Sequence, residues 1–261
     1  MDAKLAIIDW GIGGLGIYKK VKERLGDVAV TYFSDTGATP YGKMGRRELI
    51  SRLNKVLAFL ESRGVTHVVI GCNAASTVID SLDVRGLKIE GVIESAVTAT
   101  LNQKPERLGL LGGRRTVVSG VYRKAFEARG VNVRQRIAQP LSGLIESGDT
   151  NSAILKAECK RILTPLKHCT HILLACTHYP AIATVLAEFV SDETELIDPS
   201  SELVRKIKNW NFRSGGEDIF LTSGDPRQMA AAAAKAFAVH IPNAYSVSIP
   251  QNPVKDIVTS Y

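Results

Sequence analysis

Short apolar runs that alternate with amphipathic segments constrain the fold of this chain more than any other feature. The runs are continuous rather than alternating, which is typical of strands covered on both faces of a sheet. Between them, apolar residues recur at helical spacing, as in Leu49, Leu53, Val56 and Leu60. Nine runs predict strands, at residues 4–9, 28–33, 65–71, 89–93, 107–111, 131–137, 170–175, 194–197 and 218–222. Strand–helix alternation of this kind predicts a doubly wound, parallel α/β architecture.

Composition narrows the class of protein. The chain has 261 residues, of which 45% are apolar, and no apolar run approaches the roughly 20 residues that cross a bilayer. The apolar part of MDAKLAIIDWG is too short for a signal peptide, so we expect a cytoplasmic protein that is not bound to a membrane. The net charge of +7 is spread along helix-like segments without interleaved aromatic residues, which favours solvated helix faces over a nucleic-acid partner. We expect an irregular tail after Ile241.

The cysteine and histidine residues first suggest a metal site. His168, Cys169 and His171 are followed by Cys176 and His178. The HILLA segment between the two groups predicts a buried strand, which at about 3.3 Å per residue separates the two thiols by about 20 Å. One zinc ion cannot bind both. We therefore expect no metal and interpret all four cysteines as free thiols, with Cys159 and Cys169 as buried structural residues.

One internal repeat is visible. Residues 66–72 read THVVIGC and residues 170–176 read THILLAC, an offset of 104 residues that matches one small α/β domain. Either two apolar strands are alike by chance, or the chain contains two similar domains. In the second case each domain brings one cysteine, Cys72 or Cys176, to the carboxyl ends of its strands, where open α/β sheets bind ligands.

A matched pair of thiols suits a symmetric reaction. Small and polar residues follow both Cys72 and Cys176 directly, at strand-to-helix turns where backbone N–H groups favour a thiolate. Racemisation at a tetrahedral carbon needs a base on one face and an acid on the other, and the two exchange roles with direction. A thiol can serve in either form, and this chemistry requires no cofactor.

The stretch LAIIDWGIGGLG offers a competing interpretation. Gly11, Gly13 and Gly16 have the spacing of a dinucleotide-binding loop, and Asp35 follows the next apolar run. A nicotinamide-dependent oxidoreductase is therefore an alternative to a racemase. The other interpretation of this stretch is that its glycines form a tight strand-to-helix turn that exposes Asp9, and that Asp35 belongs to the loop that follows it.

The motifs DWGIGGLG, YFSDTGATPYG, GCNAAS, LIESG, ACTHYP and LTSGDP occur in the order and spacing of the glutamate racemase family. The chain resembles that family over roughly residues 4–238. The resemblance implies a cofactor-independent amino-acid racemase, an isomerase that supplies D-glutamate for peptidoglycan. It also implies two pseudo-symmetric α/β domains with the active site between them, often in a homodimer. We place the first domain at residues 1–95 plus 210–261 and the second at 96–209.

Carried over residue by residue, the resemblance implies a complete site. It makes Cys72 the acid/base group for the D-enantiomer and Cys176 the one for the L-enantiomer. It makes Asp9 the assistant of the first thiol, and Glu146 and His178 the assistants of the second. The residues implied in substrate binding are Pro40, Tyr41 and Gly42 for the side-chain carboxylate, and Asn73, Thr116 and Thr177 for the amino-acid head group.

Three positions depart from the family pattern, and all concern the substrate. Trp10 and Ala74, which we place in the substrate-binding wall, stand where the family has a serine and a threonine, and Gly113 stands where it has another threonine. Each departure removes a hydroxyl, whereas the acid/base set is intact. Two further interpretations therefore remain beside a glutamate racemase: a racemase of the same fold for another amino acid, and a catalytically weak binding or regulatory protein.

Overall fold

The computed structural model describes residues 3–212 and 214–249. Within them the strands are β1 (Leu5–Asp9), β2 (Val30–Ser34), β3 (His67–Ile70), β4 (Lys88–Gly91), β5 (Leu108–Gly112), β6 (Val133–Ile137), β7 (His171–Ala175), β8 (Glu195–Ile197), β9 (Ile219–Thr222) and β10 (Ala244–Ser246). The α-helices are α1 (Leu15–Leu25), α2 (Arg46–Ser62), α3 (Asn73–Ser76), α4 (Val92–Asn102), α5 (Arg114–Val118), α6 (Val121–Glu127), α7 (Gln139–Glu146), α8 (Ala153–Leu163), α9 (Ala183–Ala187), α10 (Ser200–Ile207) and α11 (Pro226–Phe237). All nine predicted strands are confirmed.

Two parallel sheets organise these elements. One has the strand order β10-β9-β2-β1-β3-β4, and the other has the order β6-β5-β7-β8. Every strand pair in both sheets is parallel. The predicted fold class, two doubly wound parallel-sheet domains, is confirmed.

The two sheets are related by a pseudo-symmetry that explains the internal repeat. The strand order β2-β1-β3-β4 corresponds to β6-β5-β7-β8. The register also corresponds, because Leu5 lies opposite His67 and Leu108 lies opposite His171. The likeness of THVVIGC and THILLAC is thus structural, since β3 and β7 occupy equivalent places in the two sheets.

Alternate residues of the central strands pack on opposite faces of each sheet. In β1, Leu5 and Ile7 belong to one buried cluster, whereas Ala6 and Ile8 belong to another. Because both faces are covered by helices, these strands are apolar throughout instead of alternating. In α2 the predicted apolar positions, from Leu49 to Leu60, form the buried face.

The domain boundaries after residues 95 and 209 remain a proposal. Helix α4 runs across the first of these points. Helix α10 precedes the second, and its Leu203, Val204 and Ile207 pack into the same buried cluster as Leu5 and Ile7 of β1. The chain therefore returns to the first sheet through α10 before β9 joins that sheet.

The expectation of an irregular tail after Ile241 was wrong for residues 244–246. This segment forms β10, which pairs in parallel with β9, Tyr245 lying opposite Leu221. The part of the tail after residue 249 lies outside the described residues. Within the described residues, no helix has both the length and the apolar character needed to cross a membrane.

Candidate active site

One cavity of about 470 Å³ lies where the carboxyl ends of β1, β3, β5 and β7 meet. Cavities of this size hold small organic molecules. Every residue proposed for the site from the sequence lines it, except Glu146. Those that line it are Asp9, Trp10, Pro40, Tyr41, Gly42, Cys72, Asn73, Ala74, Thr116, Cys176, Thr177 and His178.

The two thiols assigned to chemistry differ from the other two in exposure. Cys72 and Cys176 are half-buried and line the cavity, whereas Cys159 and Cys169 are buried in the protein. Burial raises the pKa of Cys159 to about 11, and it also raises the pKa of Cys169. Both buried thiols are therefore uncharged near neutral pH. In sequence, β7 separates Cys169 from Cys176.

The surroundings of Cys72 favour its protonated form. This residue ends the loop after β3 and precedes α3, and its carbonyl accepts a hydrogen bond from the Ser76 N–H. Burial raises the pKa of the Cys72 thiol well above its usual range, and the negative charge of Asp9 raises it further. The N–H groups of Ala75 and Ala74 act in the opposite direction, as expected for a helix start, but they are outweighed.

Cys176 is paired with an imidazole that is itself paired with a carboxylate. The Sγ atom of Cys176 lies 3.8 Å from Nδ1 of His178, and Nε2 of His178 lies 2.6 Å from Oε2 of Glu146. Burial lowers the pKa of His178, but the hydrogen bonds and charges of Cys176 and Glu146 outweigh it and hold that pKa well above 6.5. The imidazolium form can therefore donate to both neighbours near neutral pH. Glu146 lies behind His178, which is why it does not line the cavity.

Asp9 connects the two halves of the site. It is fully buried, and one carboxylate oxygen accepts a hydrogen bond from Thr177 Oγ1 at 2.7 Å, while the other accepts from the Trp10 N–H at 2.6 Å. Burial raises the pKa of Asp9, although the charge of His178 opposes this shift. Asp9 lies at the end of β1 and Thr177 directly after Cys176, so this hydrogen bond crosses the cleft.

The glycine loop after β1 makes the second connection across the cleft. The N–H of Ile12 donates to Oε2 of Glu146 at 2.9 Å. A Cβ atom on Gly11 would lie 2.1 Å from the same oxygen, and one on Gly13 would lie 2.5 Å from Thr177 Oγ1. Neither glycine has a left-handed backbone. Close approach of the two domains is thus the reason for glycine at both positions.

Asp35 anchors the loop that carries the proposed side-chain subsite. Its fully buried carboxylate is bound by the guanidinium of Arg52 and accepts hydrogen bonds from Tyr41 Oη and Ser223 Oγ, each at 2.7 Å. Both carboxylate oxygens therefore have hydrogen-bond partners within the protein, and the buried carboxylate cannot accept hydrogen bonds from a ribose. This geometry disfavours the dinucleotide-binding interpretation of the glycine loop.

The residues assigned to the head group line the same cavity as the two thiols. Asn73 and Thr116 are buried, and the Oδ1 atom of Asn73 accepts a hydrogen bond from Tyr122 Oη at 2.6 Å. That contact fixes the orientation of the Asn73 carboxamide and leaves its amino group as a donor. Thr177 donates its hydroxyl proton to Asp9 and retains its acceptor lone pairs.

Trp10 and Ala74, two of the departures from the family pattern, both lie in the cavity wall. The indole of Trp10 is half-buried, lines the cavity, and donates from Nε1 to the Ala38 carbonyl at 3.0 Å. It thereby supports the loop from Asp35 to Gly42. Trp10 and Ala74 pack against the same apolar cluster, so a large and a small side chain share this wall.

The cavity also contains residues that sequence reasoning missed. Two of them, Gln139 and Ser142, lie on α7 at seven and four residues before Glu146, and this spacing places all three on one helix face. This spacing from Glu146 could have identified Gln139 and Ser142 as candidate cavity residues from the sequence. The other lining residues not assigned from the sequence are Lys43, Gly113, Pro140, Gly143 and Ala175.

Comparison with known proteins agrees with this architecture. The family model described as Asp/Glu/Hydantoin racemase matches residues 5–207. The glutamate racemase of Desulforudis audaxviator is 31% identical over 218 residues, which cover 81% of this chain and 80% of that protein. The glutamate racemase of Thermoanaerobacter pseudethanolicus is 28% identical and covers 95% of this chain and 99% of its own length.

Solved structures show the same fold. Glutamate racemase from Francisella tularensis in complex with D-glutamate has a TM-score of 0.84 at 22% identity, with 95% of this chain and 98% of that chain covered. Glutamate racemase from Aquifex pyrophilus has a TM-score of 0.77 at 25% identity, with 93% and 98% covered. On the family match, the relatives and the shared fold, this chain belongs to the Asp/Glu/Hydantoin racemase family and is an isomerase, a glutamate racemase-like amino-acid racemase.

Proposed function

We propose that this enzyme interconverts L- and D-glutamate by proton transfer between the α-carbon and two thiols, without a cofactor. The observation that carries the proposal is the placement of Cys72 and Cys176 within two residues of the ends of the equivalent strands β3 and β7, where both line one cavity. Racemisation needs two proton-transfer groups on opposite faces of one carbon, and a pair of residues related by pseudo-symmetry across a cleft supplies them.

In the L-to-D direction the thiolate of Cys176 removes the α-proton and becomes a thiol. The electron pair left on the α-carbon delocalises into the substrate carboxylate. The thiol of Cys72 then delivers its proton to the opposite face and becomes a thiolate. The reverse direction exchanges the two roles. The hydrogen bond from His178 to Cys176 and the raised pKa of Cys72 support this starting state, with a charged group on one side and a protonated thiol on the other.

The remaining candidate residues bind and orient the substrate in this proposal. Asn73, Thr116 and Thr177 hold the head group, and the loop Pro40–Gly42 receives the side-chain carboxylate. Trp10 and Ala74 form the wall between them. By resemblance, the enzyme works in the cytoplasm as a homodimer and supplies D-glutamate for peptidoglycan.

A different amino acid is the second candidate substrate. The specific observation in its favour is the loss of three hydroxyls at Trp10, Ala74 and Gly113. Each lost hydrogen bond to a charged group weakens binding by about 1.5–3 kcal/mol. Comparing α-proton exchange over a panel of amino acids in heavy water separates the two candidates.

Single-thiol variants test the mechanism. After dialysis against a chelator and with no added cofactor, the wild type should racemise glutamate, and Cys72→Ser and Cys176→Ser should each lose roughly 100-fold or more. Cys176→Ser should still exchange the α-proton of D-glutamate, and Cys72→Ser that of L-glutamate. Cys159→Ala and Cys169→Ala serve as controls and should racemise normally. Equal loss of exchange with both enantiomers in each variant, or activity that returns only with pyridoxal phosphate or a metal, would contradict the proposal.

A further inference from the structure

The carboxamide of Gln139 lies in the cavity wall next to the loop proposed to bind the side-chain carboxylate. Gln139 is the first residue of α7 and is half-buried in the cavity wall. A Cβ atom built on Gly42 would lie 3.1 Å from its Oε1 atom, and one built on Gly113 would also lie 3.1 Å from that atom. The carboxamide is thus wedged between the proposed side-chain loop of the first domain and the start of α5 in the second.

Two hydrogen bonds fix the orientation of this carboxamide. Its Oε1 atom accepts from the Arg114 N–H at 3.1 Å, and its Nε2 atom donates to Ser142 Oγ at 2.9 Å. The hydroxyl of Ser142 donates in turn to the carbonyl of Gln139 at 2.8 Å. Because a backbone N–H can only donate, the oxygen and nitrogen of the amide cannot be exchanged. In the described part of the chain, the second Nε2–H has no acceptor.

The size of the residue at position 113 affects where the Gln139 carboxamide can lie. The Cβ atom of a side chain at position 113, where the resemblance places a threonine, would lie 3.1 Å from Oε1 of Gln139, so the carboxamide would have to shift. The absence of a side chain at position 113 therefore leaves room for the Gln139 carboxamide in its present position. Lys43, which follows Gly42 and lines the same cavity, adds a positive charge on this side.

We propose that Gln139 is a specificity-determining residue whose free Nε2–H binds the distal carboxylate of the substrate. This inference rests on the proposed function and adds a residue to it. A donor held rigidly by two contacts loses little entropy on binding, and a site built to bind a polar group discriminates against substrates that lack it. In this proposal the Gln139 amide supplies a donor from α7 close to position 113, where the resemblance implies a threonine hydroxyl.

The test compares two substrates that differ only in the distal group. We measure α-proton exchange in heavy water for glutamate and for 2-aminopentanoate, which has the same carbon chain without the distal carboxylate. Gln139→Ala should lower kcat/KM for glutamate roughly 10- to 100-fold, mainly through KM, and leave 2-aminopentanoate within about twofold. Gln139→Ala should also weaken glutamate binding measured by calorimetry. Gln103→Ala, at an exposed position after α4, is the matched control and should change neither substrate.

A second set of variants tests the spatial coupling. Gly113→Thr alone should impair glutamate turnover because it displaces the carboxamide, and Gln139→Ala combined with Gly113→Thr should recover part of the activity that each single change loses. Strictly additive losses, or equal losses for both substrates in Gln139→Ala, would overturn the role of Gln139. A wild type that binds glutamate without exchanging its α-proton would contradict the proposed function, while calorimetry with Gln139→Ala would still decide this inference. A wild type that does not bind glutamate would overturn both.

Discussion

The two candidate acid/base thiols occupy equivalent strands but unlike electrostatic surroundings. Cys72 faces the carboxylate of Asp9, which together with burial raises the pKa of the thiol. Cys176 faces the imidazole of His178, whose pKa is held well above 6.5 by that thiol and by Glu146 despite burial. The backbone is therefore nearly symmetric, whereas the charges are not. Before substrate binds, the Cys72 side of the cavity therefore has a protonated thiol, and the Cys176 side has the cationic hydrogen-bond donor His178.

The charge on His178 predicts the pH dependence of the L-to-D reaction. The imidazolium should persist to a higher pH than that of an ordinary histidine, so kcat/KM should fall as the pH rises through the raised pKa. Glu146→Gln removes a negative charge that raises this pKa. This fall in kcat/KM should therefore move to lower pH in the variant, and the rate at neutral pH should drop on the order of tenfold.

The free energy of unfolding should also decrease as the pH rises, for the same reason. The ion pair contributes fully below about pH 6.5, the usual histidine pKa, and its contribution is lost as the pH rises through the higher pKa of the folded state. The free energy of unfolding of Glu146→Gln should lose this part of its pH dependence. Glu188→Gln, which removes an exposed carboxylate paired with Lys156, is the control for both measurements and should change neither. An unmoved pH profile in Glu146→Gln would mean that Glu146 does not set the charge of His178.

At the scale of elements, the glycine loop after β1 is a contact surface between domains. The sequence pattern alone did not distinguish this role from nucleotide binding, because both need glycine where a backbone approaches another group closely. The distinction came from the other domain: Glu146 and Thr177 occupy the space that side chains at positions 11 and 13 would take.

Gly11→Ala should therefore be strongly disruptive. Its Cβ atom would lie 2.1 Å from Oε2 of Glu146, so the loop or the carboxylate must move and the hydrogen bond from the Ile12 N–H must weaken. We expect a loss of about 1–3 kcal/mol in the free energy of unfolding, measured by urea denaturation, and loss of most racemase activity.

Gly143→Ala is the matched control for that change. Gly143 lies inside α7, and a Cβ atom there would meet no other atom within 4 Å. Alanine favours a helix over glycine by about 1 kcal/mol, so this variant should be as stable as the wild type or more so. Equal stability of Gly11→Ala and the wild type would show that the two domains do not need this close contact.

Most elements were predictable because their signal is local. The nine predicted strands come from runs read in the sequence, and the central strands β1 and β5 are buried throughout. The strand β10 gave no such signal, because Tyr245 and Ser246 are exposed and only pairing with β9 makes the segment extended. The two thiols lie within two residues of the ends of β3 and β7, Asp9 ends β1, and Glu146 ends α7, so motifs at the ends of elements located them. Gln139 was missed because its place in the cavity depends on how α7 packs against residues distant in sequence.

At the scale of the whole molecule, side chains of the second half close the cleft against the first. Thr177 donates to Asp9, Tyr122 donates to Asn73, and the Glu146 carboxylate accepts from Ile12. The guanidinium of Arg115 on α5 adds two further contacts, donating to Thr77 Oγ1 at 3.1 Å and to the Met44 carbonyl at 2.8 Å. These contacts join the two halves of the cavity that Cys72 and Cys176 both line. The proposed two-sided proton transfer requires such a shared cavity.

In the proposed mechanism, two different groups of this molecule serve the two faces of one carbon. The most direct measurement is the deuterium content at the α-carbon of product and of remaining substrate, early in the reaction of L-glutamate in heavy water, and then of D-glutamate. Two-thiol transfer predicts a product that carries solvent deuterium and a remaining substrate that keeps its original proton, in both directions. A product that retains the proton of the substrate would show that a single group removes and returns it, and would contradict the account.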